Sequence, residues 1–89
     1  MTGSLKTRTK PSRCLVCNRP AELHHIKTRG AGGGDQPFNL IPLDREHHME
    51  VHQIGLSKFA DKYDEVHHWL TTHGWVFVEI QNKWRHASL

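Results

Sequence analysis

Nine histidines fall in a chain of 89 residues. They are grouped: His24 and His25 are adjacent, His47 and His48 are adjacent, and His52 lies one helical turn beyond His48. Imidazole is the commonest metal ligand and the one side chain that titrates unperturbed near neutral pH, so the grouping points to metal chemistry. It also constrains the fold. A chain this short makes one domain that buries a modest share of its surface and needs a staple. Cys14 and Cys17 are too close in sequence to close a long loop, so a bound metal suits them better than a disulfide. Two thiols near histidines also suit a reducing compartment.

The formal net charge is +3 with histidine neutral, and the isoelectric point is near 9.1. Both are compatible with an anionic partner such as nucleic acid. Lys6, Arg8, Lys10 and Arg13 concentrate positive charge in residues 1–13, where Pro11 and scattered Ser and Thr suggest a flexible basic arm. That arm either touches phosphate or is simply solvated. No apolar run follows the basic residues as in a signal peptide, and no stretch approaches a membrane span, so a cytoplasmic protein with no membrane partner is expected.

The remaining chain divides by its punctuation. Cys14 to Asn18, followed by Pro20, reads as a tight metal-binding knuckle. Ala21 to Thr28 reads as a short strand, on which Leu23, His25 and Lys27 face one way and Glu22, His24 and Ile26 the other. The glycine-rich run from Gly30 to Asp35 is a turned loop. It lacks the lysine and hydroxyl spacing of a nucleotide-phosphate loop, so a plain connection between strands competes with a phosphate cradle. Phe38, Leu40, Ile41 and Leu43 supply a second strand that Pro42 confines to an edge.

Asp44 is placed to cap a helix from Arg45 to Ile54, stopped by Gly55. His48 and His52, spaced i, i+4, stack on one face of it and can grip one ion, while Met49 and Ile54 are available for packing. Ser57 is placed to cap a second helix to about Tyr63, and Asp64 a third to about His73, closed by Gly74. Val66, Trp69 and Leu70 form an apolar stripe on the third. Trp75 to Ile80 and a segment around Trp84, joined at Asn82 and Lys83, read as a terminal strand or hairpin with tryptophans as packing anchors. His67, His68, His73 and His86 read as surface or capping residues. The fold class is therefore α+β. Its organisation is a basic arm at 1–13, a metal-binding core at 14–56, and a helical and β extension at 57–89 packed on that core as a single domain.

Taken in order, Cys14, Cys17, His24, His25, Asn39, His47, His48 and His52 resemble the HNH endonucleases, whose core is a β-hairpin and a helix clasped around a divalent metal. The resemblance covers Cys14 to Gly55 and is most similar to small phage and prophage members with a glycine-rich loop. It implies that His24, His48 and His52 hold a catalytic ion (Mg, Mn, Ni or Zn) and that His25 is the general base. It further implies that Asn39 braces the loop and orients the base. The implied reaction is one-metal hydrolysis of a DNA phosphodiester, leaving 5′-phosphate and 3′-hydroxyl ends, in which a positioned base contributes about 10² to 10⁴ in rate. Cys14 and Cys17 would hold a structural zinc with the residues at the positions of a second cysteine pair, here Asp44 and His47. If Asp44 caps the helix instead, another group must complete that shell. Arg29 is placed to contact substrate phosphate, or is a solvated charge. Lys27, Arg45, Lys10 and Arg13 are further DNA-contact candidates.

DNA is the implied partner, within a bacterial host cell, with phage packaging or recombination proteins as possible associates. The competing reading is a noncatalytic zinc-binding module for nucleic acid or protein, which leaves His24, His25, His48 and His52 without a purpose. A metalloprotease is disfavoured, because Met49 follows His48 where a glutamate base is required, and Glu50 comes one position late.

Overall fold

A computed structural model describes residues 12–89; Lys6, Arg8 and Lys10 lie outside them. The described part contains two antiparallel sheets and three helices, the α+β class that the sequence implies. β1 (Ser12–Arg13), β2 (Pro20–His25) and β3 (Leu40–Leu43) form the first sheet in that order. Residues Ser12 and Arg13 thus belong to the sheet rather than to an arm, pairing with Ala21 and Pro20. Between β1 and β2 the chain makes the knuckle, in which Cys14 N–H donates to the Arg19 carbonyl at 2.8 Å and Asn18 turns through a positive φ of 63°.

β2 and β3 pair so that His24 lies opposite Ile41 and His25 opposite Leu40. β3 is the edge strand, as Pro42 requires, since a proline nitrogen donates nothing to a neighbour. The Pro42 carbonyl is not wasted: it accepts from Leu15 N–H at 3.2 Å and ties the knuckle to the hairpin. The connection between the strands, residues 26–39, is irregular and mostly exposed. Thr28 caps a single 3₁₀ turn at Arg29–Ala31, and a second follows at Pro37–Asn39. At Gly33 a Cβ would fall 1.9 Å from the Lys27 carbonyl oxygen, so glycine is demanded by close approach of two backbone segments.

Helix α1 (Arg45–Ile54) begins at its Asp44 cap and ends at Gly55, with the boundaries that its sequence signals set. Gly55 adopts φ 86° and serves at once as the end of α1 and the start of α2 (Leu56–Lys62). Ser57 therefore lies inside α2 and does not cap it. Likewise Tyr63 precedes α3 (Asp64–Thr72), which has no side-chain cap, and Asp64 is its first residue. Met49, an expected packing residue, is 55% exposed, because it falls on the outer face of α1.

β4 (Trp75–Val78) and β5 (Lys83–His86) form the second sheet, a hairpin turned at Asn82, whose φ is 54°. Phe59 of α2, Val66 and Leu70 of α3, and Trp75 and Trp84 of the hairpin join Cys14, Ile41 and Leu43 in one buried cluster. The C-terminal elements and the metal-binding region therefore share a core. Trp75 Nε1 donates to the Phe38 carbonyl at 2.7 Å, pinning the hairpin to the turn that precedes β3. Three of the later histidines contact the scaffold, and His68 is exposed. His73 Nδ1 lies 2.7 Å from the Trp69 carbonyl, His86 Nε2 lies 2.9 Å from the His73 carbonyl, and His67 meets Trp84 edge-on.

Candidate functional site

Two clusters of chemistry-bearing side chains are drawn from the first sheet, the knuckle and α1. The first gathers Cys14 and Cys17 from the knuckle with Asp44 and His47 from the start of α1. Their ligand atoms all lie within 4.8 Å of one another, a group able to hold a metal ion. Two thiols, a carboxylate and an imidazole are donors that zinc accepts in tetrahedral sites.

Asp44 serves this cluster and the helix together. One oxygen, Oδ1, accepts from His47 N–H at 3.0 Å and lies 2.7 Å from His47 Nδ1; the other, Oδ2, lies 3.2 Å from Cys17 Sγ. Capping the helix and facing the thiols are therefore compatible, because a carboxylate has two oxygens. Burial of Asp44 disfavours its charge, but the His47 backbone N–H, the Cys17 thiol and the His47 ring outweigh it and hold its pKa far below the carboxylate range. At Cys17 a backbone hydrogen bond from Arg19 favours the thiolate. Desolvation, Asp44 and Cys14 together prevail and raise the thiol pKa. Two thiols and a carboxylate packed this closely call for a cation. Arg19 reaches part of that charge from outside, 3.9 Å from Asp44 and 3.3 Å from Glu46.

The second cluster lines a hollow of about 160 Å³, into which β2 brings His24 and His25 and α1 brings His48 and His52. The His24 and His48 rings stack at 3.4 Å, and His48 Nε2 lies 2.9 Å from His52 Nε2. His24 Nε2 is buried and has no hydrogen-bond partner among the described residues. A buried imidazole nitrogen left this way is costly in a settled core and is open to a metal, although among the described residues it is the knuckle set whose ligand atoms are already gathered for one. Burial lowers the pKa of His48, with His24 and His52 adding to the effect and Glu22 opposing it, a direction that favours the neutral form that coordinates metals.

His25 lines the same hollow but takes no part in the ring stack, and its ring meets a different partner. Its Nε2 lies 2.7 Å from Asp35 Oδ1, and Arg29 Nη2 donates to Asp35 Oδ2 at 2.6 Å. The His25 hydrogen bond holds the Asp35 pKa below its ordinary value; desolvation opposes it, and the charge and hydrogen bond of Arg29 add to the lowering. Asp35 was not among the residues singled out from sequence. The available signal is that it is the one carboxylate between Glu22 and Asp44.

Asn39 is fully buried and braces the loop as its position implies: it accepts from Lys27 N–H at 2.8 Å and donates to the carbonyls of Lys27 at 2.9 Å and Gly34 at 2.8 Å. The resemblance also implies that it orients His25, which through this loop it can do only indirectly. Its amide makes no bond to that ring, and the side chain that reaches His25 is Asp35. Arg13 and Arg45 are exposed, and Arg45 forms no ion pair among the described residues.

A family model described as "Putative HNHc nuclease" matches residues 2–80. The chain belongs to this HNH nuclease family. The match runs through the knuckle, the hairpin, all three helices and β4, so the family extends beyond the residues that carry the motif. Membership implies a nucleic-acid substrate. No curated protein and no solved structure matches the chain. Among the described residues no helix is long and apolar enough to cross a membrane.

Proposed function

We propose that this HNH protein is a metal-dependent DNA endonuclease whose centre is the histidine hollow, with the knuckle cluster as its structural zinc site. The observation that carries the reading is the convergence of His24, His48 and His52 around a buried nitrogen without a partner, while the adjacent His25 is turned to a separate carboxylate. His24, His48 and His52 would hold the divalent ion, which when bound supplies positive charge to the phosphate and to the leaving oxygen. His25 takes the proton from the attacking water. Asp35 holds the His25 ring by Nε2, so that Nδ1 is the nitrogen left for that task. Arg29 is 71% exposed beyond its Asp35 contact and can turn its guanidinium to a substrate phosphate. Asn39 keeps the loop carrying these groups in one shape.

The paired thiols support action in a reducing cytoplasm, and the resemblance to small phage and prophage members is the ground for a role in packaging or recombination, with other proteins supplying the site on DNA. The test is nicking of supercoiled plasmid with Mg, Mn, Ni or Zn added in turn, beside His25→Ala. Cleavage by the parent protein that the variant loses, at unchanged metal content, supports the reading. Metal uptake without nicking under any ion overturns it in favour of a noncatalytic zinc module.

A further inference from the structure

A larger cleft adjoins the histidine hollow and shares Ile26 and Leu56 with it. Its volume is about 540 Å³, within the span of roughly 300–1,000 Å³ typical of sites that enclose small organic groups. The floor is apolar, built from Ile26, Leu56 and Trp75. Trp75 is held rigid by its bond to the Phe38 carbonyl. The rim carries Lys27, Lys58, Lys83 and Arg85, and no Asp or Glu side chain lines the cleft.

Like Arg13 and Arg45, these cations have no carboxylate partner among the described residues. Arg19, Arg29 and Lys62 each lie against a carboxylate, whereas among the described residues the four rim cations form no ion pair. Unpaired positive charge is thus collected around an apolar concavity that opens beside the His25 hollow. An apolar floor takes the face of a base, and a cationic rim takes the phosphates on either side of it. This combination marks grooves for single strands. A base within a duplex reaches such a floor only after unstacking, at a cost of a few kcal/mol.

We infer that this cleft binds a nucleotide next to the scissile phosphate, and that the substrate class is single-stranded or locally unpaired DNA. The inference rests on reading the histidine hollow as a nuclease centre. The test is binding of a short labelled single strand, and of its duplex, by fluorescence anisotropy across a salt series. It is made on His25→Ala protein so that the strands stay whole. The single strand is expected to bind more tightly. Lys58→Gln with Lys83→Gln, both exposed and unpaired, is expected to weaken it about tenfold and to lower the salt slope by roughly 1.4, at about 0.7 per contact. Equal or tighter duplex binding, or an unchanged affinity and slope in the double variant, overturns the inference. Failure of the nuclease reading appears separately, as an absence of plasmid nicking by the parent protein.

Discussion

His25 Nε2 lies 2.7 Å from Asp35 Oδ1, ten residues away, and the second oxygen of the same carboxylate binds Arg29. A single loop aspartate therefore sets the position of both the proposed base and the proposed phosphate contact. His25→Ala is expected to lower cleavage by about 10² to 10⁴. Asp35→Asn keeps the loop's shape and gives a smaller loss, falling mainly on kcat. Steady-state kinetics on both variants check this; wild-type kcat in Asp35→Asn would reduce the carboxylate to a loop tie.

The knuckle cluster separates capping from charge. Asp44→Asn retains an oxygen for the His47 N–H but removes the negative charge facing Cys17, so metal content falls while α1 persists. Asp44→Ala loses both and costs about 1 kcal/mol more through the cap alone. Elemental analysis with thermal melting distinguishes the two variants. Stripping the metal with a chelator lowers the melting temperature, because metal binding and folding are linked.

Asn39 has no solvent exposure and three hydrogen bonds to backbone. Asn39→Ala strands the Lys27 N–H and two carbonyls, at about 1–3 kcal/mol for each group that water fails to reach. The variant is expected to melt far below the parent, and hydrogen exchange is expected to rise first at Ile26 to Gly34. A melting temperature within a degree or two of the parent's would contradict this (about 4–8 °C per kcal/mol in a small domain).

Glu50 of α1 accepts from Lys62 Nζ and from the Tyr63 hydroxyl, joining α1 to the end of α2. Lys62, then Tyr63, holds the Glu50 pKa below its ordinary value against desolvation. A carboxylate with a depressed folded pKa adds stability above its unfolded pKa, and that share disappears as the pH falls through the folded value. Stability is therefore lost on acidification below the ordinary glutamate range, and Glu50→Gln flattens that part of the profile. Melting temperature against pH for the two proteins checks it.

The limits of α1 were legible because Asp44 and Gly55 act locally: one accepts from the first turn and the other takes φ 86°, which other residues resist. Strand alternation separates the partners of His24 and His25, a stacked His48 ring for one and Asp35 for the other, yet both line one hollow. The same local logic failed at Ser57 and Asp64. Both are good caps, but Gly55 and Tyr63 already stand at those helix starts, since α2 and α3 follow their predecessors with one residue between. Met49 was misplaced for a related reason: periodicity finds an apolar position but not which neighbour arrives to cover it.

The sequence by itself determined which residues can bear metal and in which order they reach the sheet and helix, because side-chain chemistry and spacing along regular elements are local properties. Only the tertiary structure decided that Asp44 caps α1 and faces two thiols at once, that Asp35 rather than Asn39 meets His25, and that four unpaired cations ring a cleft beside the histidines. Each of these joins segments through loops and packing, and such distances are fixed by the shared core around Phe59, Leu43 and Leu70, which no single segment encodes.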